Sequence, residues 1–190
     1  MIIMKIEIQK LTNLAIVFIT LVILLPRVLP LLPTFSFWLI LLTITVAWFL
    51  IEIKLNWKNK NRIKKALVIG LFLMVFDFII ENLGAVGFFL GQWRSFYSLY
   101  FVLYVPIEII FVTLLGGAAW ALYLPKKFNF FYSLGDILLF STYGMIGEYI
   151  LVANGIMQYR VKWVPYVFIG YLITWIVLHV LAYRIVKVNS

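Results

Sequence analysis

ALVIGLFLMVFDFIIENLGAVGF, residues 66–88, is the stretch on which the fold turns. Its 23 residues hold two charges, Asp77 and Glu81, and no lysine or arginine. Wound as an α-helix at 1.5 Å per residue it covers about 34 Å, enough to cross a hydrocarbon core of about 30 Å. The ten residues before it, NWKNKNRIKK at 56–65, are polar and basic. A long apolar run behind a cationic collar reads as a membrane span that starts on the cytoplasmic side.

Similar runs recur on both sides. Spans are expected at 11–32, 35–55, 66–88, 99–124, 135–154 and 164–185, with Pro26, Pro30 and Pro33 bending or ending the first. The chain is 65% hydrophobic and 12% charged, about half the charge of a soluble domain, which excludes a soluble fold. The expected fold is all-α, a polytopic bundle of about six transmembrane helices, with residues 1–190 as a single integral membrane domain. The first apolar run has no small-residue cleavage site after it, so it is read as a span rather than a signal peptide.

Charge sets the orientation. With the N-terminus inside, twelve of the sixteen lysines and arginines fall at inner ends, among them Lys54, Lys58, Lys60, Arg62, Lys64, Lys65, Lys126 and Lys127. The outer loops keep Arg27, Arg94, Arg160 and Lys162. That bias places both termini in the cytoplasm of a multi-pass cell-membrane protein. It also assigns the net charge of +9 to orientation and anionic lipid rather than to nucleic acid. Trp93, Tyr97, Tyr100, Tyr159 and Trp163 form the expected outer aromatic belt. The chain has no cysteine and one histidine, His179, so no disulfide, thiolate site or histidine-rich metal site is expected, and no cofactor.

The seven acidic residues carry the functional reading. Only Glu7 stands clearly outside the apolar segments; Glu52 and Asp136 lie at their ends, and Asp77, Glu81, Glu108 and Glu148 lie within. A carboxylate at the centre of a spanning helix costs about 2.5 kcal/mol or more. Counted from the span ends, Glu81, Glu108 and Glu148 reach similar depths, about 10–14 Å below the outer face. Asp77 sits one turn below Glu81 on the same face. Two readings are open. The acids either pair with Arg94, Arg160, Asn82, Asn154 and tyrosines to lock the bundle, or they share a polar cavity, where a desolvated carboxyl holds its proton and can act as a general acid. Four acids without internal cations favour the cavity. His179 lies in the inner half and reads as a helix-packing residue. A faint echo links Glu81…Gly87…Gln92-Trp93-Arg94 with Glu148…Gly155…Gln158-Tyr159-Arg160. It is either a parallel duplication of spans 3–4 and 5–6 or a coincidence of short motifs.

The stretch Asp77-Phe-Ile-Ile-Glu81-Asn-Leu-Gly84, then Gly91-Gln-Trp93, then Val105-Pro106-Ile107-Glu108-Ile-Ile-Phe111, resembles the small membrane lycopene cyclase domain of bacteria and archaea. The run Glu81, Gly84, Gly87, Gly91 is similar to the related carotenoid hydratases. The likeness covers about 35 residues. The second glutamate of the family's pair is Ile109 here, which moves the expectation away from cyclisation of the usual carotene. The resemblance implies non-redox acid–base chemistry on a lipid-soluble polyene: protonation of a double bond, a carbocation, then ring closure, water capture or proton loss. On it, Glu81 and Glu108 are the primary acid–base candidates and Asp77 and Glu148 orient or buffer them. Asn82, Tyr104, Phe111, Asn154 and Trp175 are the substrate-binding candidates. The partners implied are the bilayer and an apolar isoprenoid, with a homo- or hetero-oligomer left open. The alternatives are a proton- or cation-coupled small transporter and a non-catalytic subunit of a membrane complex.

Overall fold

The computed structural model describes residues 2–33, 36–87, 93–159 and 164–188. Gly91, Gln92, Arg160, Lys162 and Trp163 of the readings above lie outside the described residues. Six helices dominate: α1 (Ile2–Val28, continued by a 3₁₀ turn Leu29–Leu31), α2 (Ser36–Asn56), α3 (Lys60–Ala85), α4 (Ile107–Tyr123), α5 (Phe130–Ala153) and α6 (Val164–Val180, continued by a π-helical turn Leu181–Ile185). Counted with the turns that continue α1 and α6, five of them are long and apolar enough to cross a membrane; α4, with 17 residues and no such continuation, is the shorter one. Each helix satisfies its backbone internally, the condition for crossing lipid. Large apolar side chains point outward along the whole bundle, such as Ile19, Leu71, Val75, Ile169 and Ile173. A water-facing surface does not carry such a continuous belt. The chain is a helical bundle of the multi-pass membrane kind.

The helical bundle is as expected, and two details are corrected. The connectors at the end of the bundle away from the chain termini, the outer end below, also hold short strands: β1 (Trp93–Ser95), β2 (Phe101–Val102), β3 (Val105–Pro106) and β4 (Met157–Tyr159). These segments leave the helices, so their backbone groups need other partners, and strand pairing supplies them. The span expected at 99–124 becomes helical only at Ile107, because β2 and β3 first form a tight antiparallel ladder. Pro106, which has no N–H to offer a helix, stands as the N-cap residue. The expected polar connector at 56–65 is shorter than its composition implies: Asn59 accepts a hydrogen bond from the Arg62 amide at 3.0 Å and starts α3 at Lys60.

Helices α3 and α4 cross closely. Gly70 and Gly117 meet there, and a β-carbon on Gly70 would stand 2.1 Å from the Leu114 carbonyl oxygen. At the inner end, cations cap the exposed carbonyls of α4. Arg62 is buried and donates to Leu122 O and Leu124 O at 2.8 Å each and to Asn56 Oδ1 at 2.9 Å. Lys10 Nζ reaches Tyr123 O at 2.6 Å. An inner apolar core gathers Ala66, Ile69, Trp120, Phe140 and Leu178; an outer one gathers Phe37, Trp38, Ile150, Leu151 and Met157.

The outer ends of α3 and α5 are joined through their connectors. Strands β1 and β4 run antiparallel, with Trp93 opposite Tyr159 and Arg94 opposite Gln158. The echo in the sequence therefore pairs with itself, aromatic position against aromatic position. The two helices also finish alike. The Gly87 amide closes on Gly84 O at 3.0 Å and the Gly155 amide on Val152 O at 3.1 Å. Both glycines have positive φ, 82° and 70°, a conformation that other residues adopt at a cost.

Candidate functional site

Glu148 is the centre of the outer polar group. It lies five residues before the end of α5, about 8 Å along the helix axis. Tyr171 of α6 donates its hydroxyl to Glu148 Oε1 at 2.7 Å. Tyr159 of β4 donates to Oε2. Both carboxyl oxygens therefore receive a phenol, one from the next helix and one from the strand just beyond α5. The local sequence allows this at Gly144, one turn below Glu148. The Tyr171 ring lies flat against that glycine, and a β-carbon there would be 2.8 Å from three ring atoms. The β1–β4 ladder fixes the height of Tyr159. Burial, and next to it the Glu148 carboxylate, push the Tyr159 phenol well above its ordinary range, so it stays a donor.

Asp77 and Glu81 approach the same group from α3. Asp77 is within electrostatic reach of both Glu148 and Tyr171. Its Oδ2 is buried and has no hydrogen-bond partner. Glu81, one turn outward, is within electrostatic reach of Tyr159. Three of the four acids singled out in the sequence thus belong to one neighbourhood, built from α3, α5, α6 and β4.

Glu108 is placed differently. It is 2% exposed, and both its oxygens serve the connector before α4: the Leu99 amide donates to Oε1 at 3.0 Å and Ser98 Oγ to Oε2. It organises the 98–106 segment from the first turn of α4. Asn82 helps from α3, where Oδ1 accepts the Tyr104 amide at 3.2 Å and Nδ2 donates to Phe78 O at 2.7 Å. Tyr104 lies beneath the Arg94 guanidinium, 5.1 Å from its ring centroid. Phe111 is exposed on α4. Asn154 donates to Ile150 O and lines an outer crevice of about 120 Å³ with Leu29, Pro30, Leu32, Pro33 and Ile156. Trp175 lies one turn inward of Tyr171 and packs against Phe140 and Trp120 in the inner core.

Tyr159 and Tyr171, the hydrogen-bond donors to Glu148, are outside the site residues that the sequence reading selected. Tyr159 had a signal, its place in the echo. Tyr171 had none, because only the rotation of α6 about its axis brings it to Gly144. Among the described residues no group of three or more metal-ligating side chains occurs. Compared with protein-family models, with curated proteins and with solved structures, the chain matches none.

Proposed function

We propose that this chain is an integral membrane enzyme that protonates a carbon–carbon double bond of a long, lipid-soluble isoprenoid, as a cyclase or hydratase of the carotenoid type. The observation that carries the reading is the unequal treatment of two neighbouring carboxyls. Glu148 receives two phenol hydrogen bonds, whereas Asp77 has a buried oxygen that receives none. An ionised carboxylate only accepts, and two donors hold it in that form. A second carboxyl in the same field then keeps its proton, and such a divided pair supplies an acid and a base.

On this reading Asp77 is the general acid. Its proton forms a C–H bond at one alkene carbon as the π bond breaks, leaving a carbocation at the other. The Glu148 carboxylate and the π faces of Tyr159 and Tyr171 stabilise that charge. A neighbouring double bond closes the ring, or water adds. The cation then loses a proton to the carboxylate left on Asp77, which restores the site without redox change. Glu81 adds negative potential above the pair. Glu108 and Asn82 hold the connector before α4, and on this reading the outer crevice beside Asn154 serves substrate entry from lipid. The resemblance of Asp77–Gly84 and Val105–Phe111 to the cyclase domain supports the substrate class, and the apolar outer surface supports access from the bilayer. Both termini on the cytoplasmic side of the cell membrane complete the proposal, in line with the lysine and arginine bias.

The test is expression in a host that accumulates linear polyenes, with the pigments resolved by mass. A new product that disappears in Asp77→Asn and in Glu148→Gln is expected. Unchanged pigments across several acyclic isoprenoids overturn the proposal. A second reading, a proton-coupled transporter, draws on α5 alone: Asp136 and Glu148 lie on one helix about 18 Å apart along its axis. It predicts proton flux in liposomes that Glu148→Gln removes, and an absence of flux excludes it.

A further inference from the structure

A second polar group lies in the inner half of the bundle, apart from the carboxyls just described. It joins Trp120 of α4, Asp136 of α5 and His179 of α6. The side chains of Asp136 and His179 are 0% and 5% exposed. Trp120 Nε1 donates to Asp136 Oδ2 at 2.8 Å. The imidazole sits edge-to-face on the same indole, 5.0 Å between ring centroids.

The second contact of the histidine decides its protonation. Nδ1 lies 2.9 Å from the Trp175 carbonyl oxygen. A carbonyl only accepts, so the hydrogen is on Nδ1, and a neutral ring then presents a bare lone pair at Nε2. Nε2 lies 3.4 Å from Asp136 Oδ2. An ionised carboxylate there would face that lone pair in a buried site, electron pair against negative charge. One more proton, on Oδ2 or on Nε2, turns the repulsion into attraction. Both forms leave the pair with no net charge, which is what a buried site requires. His179 Nε2 and Asp136 Oδ1 have no hydrogen-bond partner otherwise.

The surroundings offer no substitute for that proton. Among the described residues no lysine or arginine is paired with Asp136. From α4, Tyr123 is within electrostatic reach of Asp136, and its own field includes Glu52 of α2. Lys10 of α1 is engaged with Tyr123, 4.5 Å from that ring's centroid. From the π-helical turn, the Tyr183 ring stands 6.2 Å from the imidazole and donates its hydroxyl to Pro125 O. Tyr132 and Ser133 lie in the preceding turn of α5, both buried.

We infer that Asp136 and His179 form a buried proton-binding site that holds one proton between them and ties α4, α5 and α6 together at the inner end of the bundle. The ligand is a single proton, shared by two groups that titrate as a unit. The sequence suits a direct test, because the chain has one histidine and two aspartates. Nuclear magnetic resonance on the full chain in lipid nanodiscs, with nitrogen-15 histidine and carbon-13 aspartate carboxyls, gives one imidazole and two carboxyl signals. Asp77→Asn, or Asp77→Glu should the first not fold, removes the other carboxyl and assigns Asp136.

The expected result is a protonated Nδ1 and one further proton on the pair throughout about pH 5 to pH 8, where a free imidazole changes state. It reads either as imidazolium beside ionised Asp136 or as neutral imidazole beside protonated Asp136. Asp136→Asn removes the shared proton and leaves a neutral ring with its hydrogen on Nδ1. The inference is overturned if Nε2 and Asp136 are both unprotonated within that range, or if His179 titrates near the unperturbed value of about 6.5. Should Asp136→Asn not fold, the wild-type signals alone decide between these outcomes. The result is independent of the isoprenoid reading, which rests on other residues.

Discussion

Gly144→Ala tests the geometry of the outer site most directly. The added methyl would lie 2.8 Å from Cδ1, Cε1 and Cε2 of Tyr171. Carbon atoms settle at about 3.5–4.0 Å, so the ring must withdraw by about 0.7 Å or more. Its hydroxyl now donates to Glu148 at 2.7 Å. A retreat of that size takes the pair past the usual limit of about 3.0 Å for such a bond. Losing a hydrogen bond to an ionised group costs about 1.5–3 kcal/mol. Removing a glycine from a helix interior returns about 0.5–1 kcal/mol. The net expectation is a loss of about 1–2 kcal/mol, measured by reversible unfolding in mixed detergent micelles. Tyr171→Phe supplies the second leg of a double-mutant cycle. In that background the hydrogen bond is already gone, so Gly144→Ala should cost about 1.5–3 kcal/mol less than in the wild type. Gly147→Ala is the control, since nothing lies within 4 Å of its added methyl. If Gly144→Ala is as harmless as Gly147→Ala, Tyr171 does not lie where its contacts place it.

Two further outcomes follow from the helix ends. Gly155→Ala meets no neighbour within 4 Å, yet φ is +70° there, so it should destabilise by about 1–2 kcal/mol in the same unfolding measurement. Gly147→Ala, equally open but helical, should stabilise by about 0.5–1 kcal/mol, and the opposite order would refute the strain argument. Arg62→Met leaves Leu122 O, Leu124 O and Asn56 Oδ1 without their donor and should cost about 3 kcal/mol. Arg62→Lys should recover less than half of that, because an ammonium cannot reproduce the planar fork; equal stability of the two variants would show that the capping contacts contribute little.

The spans were legible because lipid imposes one rule on every residue of a crossing segment, and a run such as 66–88 obeys it without help from elsewhere in the chain. Relative height along the helices follows from counting: residue number and helical rise place Glu81 and Glu148 at similar heights and Asp77 one turn below. Rotation about each helix axis was not legible, because all faces of these helices are apolar and periodicity gives no direction. That is why neither the engagement of Glu108 with Ser98 and Leu99 nor that of Tyr171 with Glu148 could be read from spacing. The strands escaped for a different reason. Each has two or three residues, and a ladder that short exists only through its partner, which for β1 lies more than 60 residues along the chain. His179 was read as a packing residue, and its contact with the Trp175 carbonyl fits that. Its second contact, with Asp136, depends on the crossing of two helices and leaves no trace in spacing.

The order in which Glu148 meets its partners has a consequence for biogenesis. A translocon receives α5 before it receives Tyr159 or Tyr171, and α5 is the least hydrophobic of the five long spans. At that moment Asp136 also lacks His179, which arrives on the same final helix. Release of α5 into the bilayer is thus expected to wait for α6, so that the two helices leave the channel as a hairpin with both carboxyls already matched.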